Sequence, residues 1–137
     1  MSQDAFIGNV AFFLEGDGGC GNYGGKAFQI QFYQSDQGFL FALGDALAAR
    51  GLVEVGDFHV TENAAPVDSA SCHPRTRKAY TASITKAAAR VNLARALVAV
   101  FEKRGAAHFP KAQKLALVVK YEKPCAAARA DFQRITD

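Results

Sequence analysis

Residues 5–33 run AFIGNVAFFLEGDGGCGNYGGKAFQIQFY. In 26–33 the side chains alternate: Phe28, Ile30 and Phe32 point one way, while Gln29, Gln31 and Tyr33 point the other. Period-two patterning of this kind marks a strand with one buried face. Segment 5–15 fits the same register, with Phe6, Val10, Phe12 and Leu14 on one side. Between the two segments, residues 16–25 hold six glycines in ten positions and read as a mobile loop. The expectation is an antiparallel hairpin with a long tip at 16–25.

Outward from this hairpin the pattern turns helical. Ser35 or Asp36 is placed to cap a helix by accepting a bond from a first-turn N–H. Phe39, Leu40, Leu43, Ala46 and Leu47 then recur at three- and four-residue spacing until Gly51 supplies a left-handed stop. Phe41 falls off this stripe. Residues 52–55 and 58–61 read as a strand, bent or folded into a small hairpin at Gly56-Asp57, and 62–79 as a long connection with turn formers and no periodicity. A long helix is expected from about Thr81 to Arg104, its apolar stripe running through Ile84, Ala87, Ala88, Val91, Ala94, Val98 and Phe101, with Gly105 ending it. Residues 115–121 (LALVVKY) read as a strand. Pro124 then opens a short terminal helix that turns Cys125, Ala128, Phe132 and Ile135 inward. The expected order is ββαβαβα. It makes one α+β domain over 1–137, a two-layer sandwich with a mainly antiparallel or mixed four-stranded sheet and helices on one face.

Composition narrows the classes. Of 137 residues, 50% are apolar and 21% charged, an ordinary globular balance. No apolar run approaches the ~18 residues needed to cross a bilayer, so no membrane partner is expected. The opening residues carry acids and no basic n-region, unlike a secretory signal. Three cysteines without a CxxC spacing fit free thiols in a reducing compartment, most simply the cytoplasm.

The net charge of +3 conceals a split along the chain. Residues 1–70 hold two Lys or Arg against nine acids, a net of −7, and residues 71–137 hold fourteen against four, a net of +10. Three readings are open: the halves neutralise each other inside one domain, they meet between copies, or the basic half faces a polyanion. The tract Arg75, Arg77, Lys78, with Lys86 and Arg90 one helical turn apart beyond it, stands beside the first turn of the expected long helix. Guanidinium and ammonium groups near free helix N–H groups hold phosphates or carboxylates by charge-assisted bonds. These five residues are the candidate anion or partner site, and a nucleic-acid backbone or an acidic protein surface is the expected partner. A second candidate surface is the outer side of the hairpin, where Phe13, Gln29, Gln31 and Tyr33 would bury against another protein or a second copy, giving a homodimer.

Other chemistry finds less support. Gly16-Gly18-Gly21 and Gly19-Gly21-Gly24 both match G-x-G-x-x-G, but the pattern leads into a strand rather than a helix, against a dinucleotide fold. Lys26 is followed by Ala27 rather than Ser or Thr, against a P-loop. A glycine loop that contacts phosphate together with Arg75 and Arg77 stays open as a third reading. Cys72-His73 are adjacent ligands without a second spaced pair, so neither metal nor cofactor is expected. Cys20 could be paired with His59 or His73 as nucleophile and base, but no local signature supports it. The sequence therefore points to a small binding module without catalysis.

Overall fold

The computed structural model describes residues 1–23, 27–63, 67–68, 73–74 and 79–135, with the backbone alone at 22–23, 27, 67–68 and 73–74. The described elements are α1 (Gln3–Asp17), β1 (Gly18–Tyr23), β2 (Ala27–Gln34), α2 (Gln37–Ala49), β3 (Phe58–Glu62), β4 (Val67–Asp68), β5 (His73–Pro74), β6 (Tyr80–Ile84), α3 (Ala87–Lys103), α4 (Pro110–Tyr121) and α5 (Ala126–Arg134). The main sheet has the order β1-β2-β6-β3, with every pair antiparallel, and β4 and β5 form a separate two-stranded ribbon.

The alternation of β2 sets the layers. Phe28, Ile30 and Phe32 are fully buried, as are Ala82 and Ile84 on β6, and all helices lie on their side. Phe13 of α1 stacks on Phe32 at 5.6 Å, Phe132 of α5 meets Phe28 at 5.2 Å, and Leu93, Leu97, Leu115 and Val118 close the core from α3 and α4. The expected fold class, an α+β sandwich with helices on one face of a mainly antiparallel or mixed four-stranded sheet, is observed, with the sheet wholly antiparallel.

Several elements differ from the sequence reading, each for a physical reason. Residues 5–15 are not a strand but most of α1. Ser2 Oγ accepts from the Ala5 N–H at 3.1 Å, and Ile7, Val10, Ala11 and Leu14 bury one face at three- and four-residue spacing. The first strand is instead the glycine run: β1 takes Gly18–Tyr23, so the hairpin exists one element later than expected. Glycine is required at its start, where a Cβ on Gly18 would lie 2.6 Å from Leu14 Cδ1 and 2.7 Å from the Gln31 carbonyl oxygen.

Residues 52–55 are not a strand either. Leu52 and Val53 are buried anchors, after which Asp57 turns back to accept from the Glu54 N–H at 2.9 Å. The expected long helix divides: Thr81–Ile84 belong to β6, a central strand, and the helix proper begins at Ala87. Residues 115–121 are the latter part of helix α4, which Pro110 opens; Ala112, Leu115 and Val118 face the core. In α5, Ala128 is buried as expected, but Cys125 is an exposed N-cap whose sulfur accepts from the Ala128 N–H. Gly51 and Gly105 end α2 and α3 as read, with φ of 71° and 67°. No helix among the described residues is long and apolar enough to cross a membrane.

Candidate functional site

The five cations of the candidate anion site do not share one fate. Arg75, Arg77 and Lys78 lie outside the described residues. Lys86, the N-cap residue of α3, is exposed, but its Nζ sits 3.5 Å from Glu54 and 3.8 Å from Asp57, both carboxylates of its own chain. Arg90 is 3% exposed and turned into the fold, not toward solvent.

The role of Arg90 follows from the strand register. Hydrogen bonding alternates along an antiparallel strand. The bond from the Asn63 N–H to the Ala79 carbonyl fixes the phase, so that Thr81 and Ser83 turn their backbone groups to β3, and Ala82 and Ile84 turn theirs to β2. On β2, Phe28 falls in the same phase as Ile30 and Phe32, but the strand that would meet it has ended at Ile84. Arg90 Nη1 fills the vacancy, donating to the Phe28 carbonyl at 3.1 Å and to the Thr85 carbonyl, while Nη2 donates to the Glu122 carbonyl at 2.7 Å. Its carbon Cζ stands 5.6 Å from the Phe28 ring centre, and Nε alone has no hydrogen-bond partner among the described residues. Burial lowers the guanidinium's pKa from its ordinary value. Arg90 therefore ties together the end of β2, the β6–α3 turn and the α4–α5 turn.

The same device recurs. Arg104 Nη1 donates to the Gly8 carbonyl at 3.4 Å, and Lys111 Nζ donates to the Leu14 and Glu15 carbonyls at 3.2 and 2.6 Å. The last turn of α1 contains no basic residue, and Lys111 reaches from α4 to supply one at its negative end. Lys103 pairs with Asp4 at 3.5 Å, and within the basic half Asp131 receives Arg134 at 2.7 Å and Lys120 at 4.0 Å. Thus the two halves of the chain do meet inside the domain. They meet through neutral carbonyls as well as carboxylates, however, and a carbonyl satisfies a donor without cancelling its charge.

Two pairs of cations line hollows of the surface. Arg95 and Lys123 line a hollow of about 260 Å³ between α3 and the α4–α5 turn, with Glu122 and Asn92 beside them. Both are exposed, and neither has an ion pair among the described residues; the same holds for Arg129 on α5. Lys111 and Lys114 line a larger cavity of about 590 Å³ with Glu15, Gly18, Gly19 and Tyr33. The sequence tract emphasised the start of α3 and passed over Arg95; its seven-residue separation from Ala88 along the helix, on the flank next to Val91, was the available signal.

The second candidate surface is partly assembled. Gln29, Gln31 and Tyr33 lie on the sheet face away from the helices and form a ladder: Gln31 Nε2 donates to Gln29 Oε1 at 2.7 Å, and the Tyr33 hydroxyl donates to Gln31 Oε1 at 2.8 Å. Cross-strand register adds Ser83 and His59 beside Gln31. Phe13 is absent from this face. As part of α1 it is wedged on the helical side between Phe32 and Phe39.

Cys20 faces the core at 3% exposure, and burial pushes its thiol up to about 12, with Lys114 and Arg90 pulling weakly the other way. His59 stands three strands away, about 14 Å at the usual strand spacing, and on the opposite face of the sheet. The two do not form a nucleophile–base pair. Among the described residues no three His, Cys, Asp or Glu side chains gather as metal ligands. Comparison with known proteins finds no matching family model, no matching curated protein and no matching solved structure.

Proposed function

We propose that the protein is a small binding module without catalysis of its own, and that its basic C-terminal half engages an acidic partner: an acidic protein surface or a nucleic-acid backbone. One observation carries this reading. Lys103, Lys120 and Arg134 pair with carboxylates, but Arg90, Arg104 and Lys111 are held by backbone carbonyls, and Arg95, Lys123 and Arg129 stand exposed with no ion pair among the described residues. Internal pairing leaves much of the positive field intact. Such a field speeds and strengthens association with polyanions.

The test is a fluorescence anisotropy titration with labelled polyglutamate and with labelled single- and double-stranded DNA at low salt. Binding of at least one probe is expected, weakened about tenfold or more when Arg95, Lys123 and Arg129 are together reversed to Glu. Full-strength binding by the folded triple variant would remove the reading. A second reading rests on a separate observation, the one-sided sheet. The ladder Gln29–Gln31–Tyr33 lies on a face that no described helix packs against, and it suits a protein partner or a second copy. Light scattering of wild type against Gln31→Arg separates this case, since a charge at its centre would dissociate a dimer formed there.

A further inference from the structure

The chain passes from α4 into α5 through a bend made at one residue. Glu122 has φ of 60° and ψ of −35°, and no other non-glycine residue among those described has a positive φ. Across it the Lys123 N–H donates to the Tyr121 carbonyl at 2.6 Å, closing a γ-turn of the rare, strained hand. The rest of the hinge favours a straighter path. Pro124 holds its own φ near −65° and biases Lys123, the residue before it, toward extended backbone. Cys125 is extended, with φ of −154° and ψ of 172°. The reversal that brings Asp131 of α5 against Tyr121 and Lys120 of α4 therefore concentrates at Glu122. Arg90 clasps the bend, Nη2 donating to the Glu122 carbonyl at 2.7 Å. α5 itself is held lightly. In nine residues it has a single buried side chain, Ala128, and its half-buried Phe132 rests on the Phe28 ring at 5.2 Å. No described element follows α5, so this one hinge joins it to the domain.

From this hinge we infer that two copies of the chain exchange α5, each placing its own α5 on the domain of the other in a two-fold dimer. When Glu122 leaves positive φ, the hinge runs on in extended form and carries α5 away from its own domain. The α5 of the second copy then takes that place beside Phe28. Its contacts are those the monomer already makes: Phe132 on Phe28, and Asp131 with Tyr121 and Lys120. Being lost and regained, they favour neither form. The two forms differ in the strained turn, which two monomers contain twice and the dimer lacks. Short hinges under strain favour exchange for this reason. Against it stand the Arg90 clasp and the entropy of association, so the balance moves with concentration. The exchange does not depend on the acidic-partner reading, and it uses a different surface from the Gln29–Gln31–Tyr33 ladder.

The test is size-exclusion chromatography with light scattering on the full chain, incubated at concentrations from about 10 μM to about 1 mM. A dimer that grows with concentration is expected, slow to interconvert because α5 must leave before another can replace it. Its connectivity is read in a dimer assembled from equal parts of ¹³C-labelled and unlabelled chain. Isotope-filtered NOE contacts between Phe28 and Phe132 should cross from one chain to the other. Glu122→Gly accepts positive φ without strain and should raise the dimer dissociation constant about tenfold. Glu122→Ala keeps the strain and removes only the carboxylate, so it should dimerise as wild type does. Gln31→Arg, on the far face of the sheet, should leave this dimer intact, which separates it from one formed through the ladder. A chain that stays monomeric at the highest concentration would overturn the exchange. So would a dimer whose Phe28–Phe132 contacts stay within one chain. Equal dimerisation of Glu122→Gly and wild type, or of Glu122→Gly and Glu122→Ala, would overturn it too.

Discussion

At the scale of single residues, Arg90 shows how misleading a charge can be when read from sequence. In the row of letters it belongs with Lys86 as an exposed cation one turn along a helix. In the fold its planar fork meets three carbonyls that secondary structure leaves over, at Phe28, Thr85 and Glu122. An ammonium cannot span that geometry. Arg90→Lys should therefore destabilise the protein by about 2–4 kcal/mol in urea unfolding, since buried carbonyls lose their donors. A loss below about 0.5 kcal/mol would mean that the bonds contribute little. Cys20 gives a second expectation at this scale. Its thiol is raised from 9.0 to about 12, so the folded chain keeps the proton that the unfolded chain releases. The stabilisation is complete below pH 9 and declines as pH rises from 9 to 12, by up to about 1.4 kcal/mol per unit. Denaturant melts of wild type and Cys20→Ala between pH 8 and 10.5 check it: the variant should show the shallower decline.

At the scale of elements, the sheet was partly legible and the helices were partly mistaken for it. The alternation of 28–33 stated both the strand and its buried face, and α2 was readable from its cap at Asp36, its stripe and its stop at Gly51. Segments 5–15 and 115–121 were ambiguous by nature. A short apolar run rich in Val, Leu and Phe satisfies a period of 2 and a period of 3.6 at once, and tertiary packing decides between them. For α4 the overlooked evidence was Pro110 at the first helical position; for α1 it was Ser2. Residues 81–84 went to β6 because a sheet with β2 on one side and β3 on the other needs a strand between them, a demand invisible in local sequence. β1 was hidden by its glycines, which weaken a strand on propensity but are dictated by close approach at Gly18. Gly18→Ala should accordingly cost about 1–3 kcal/mol, because two of the three atoms crowding the new Cβ, the Gln31 oxygen and Leu14 Cα, belong to the backbone. Thermal unfolding measures it, and an unchanged melting temperature would show that the hairpin shifts freely.

At the scale of the whole molecule, the division of charge was the most informative feature of the sequence, and the structure changes its meaning. Part of it is internal: Lys86 with Glu54 and Asp57, Lys103 with Asp4, and Arg104 and Lys111 against carbonyls of α1. The candidate site named from sequence is thereby thinned, with Lys86 paired and Arg90 buried, while Arg75, Arg77 and Lys78 fall outside the described residues. What the fold gathers instead is Arg95 with Lys123 in one hollow and Lys111 with Lys114 in the cavity beside Gly18 and Gly19. Sequence could not place these pairs together, since they depend on how α3 and α4 pack on each other and on the edge of the sheet. The most direct measurement is the salt dependence of affinity for polyglutamate and for DNA, plotted as log K against log salt concentration. The account predicts a steep negative slope for at least one probe, corresponding to the release of several counterions. Absence of binding to both at low salt, or binding that salt leaves unchanged, would contradict it.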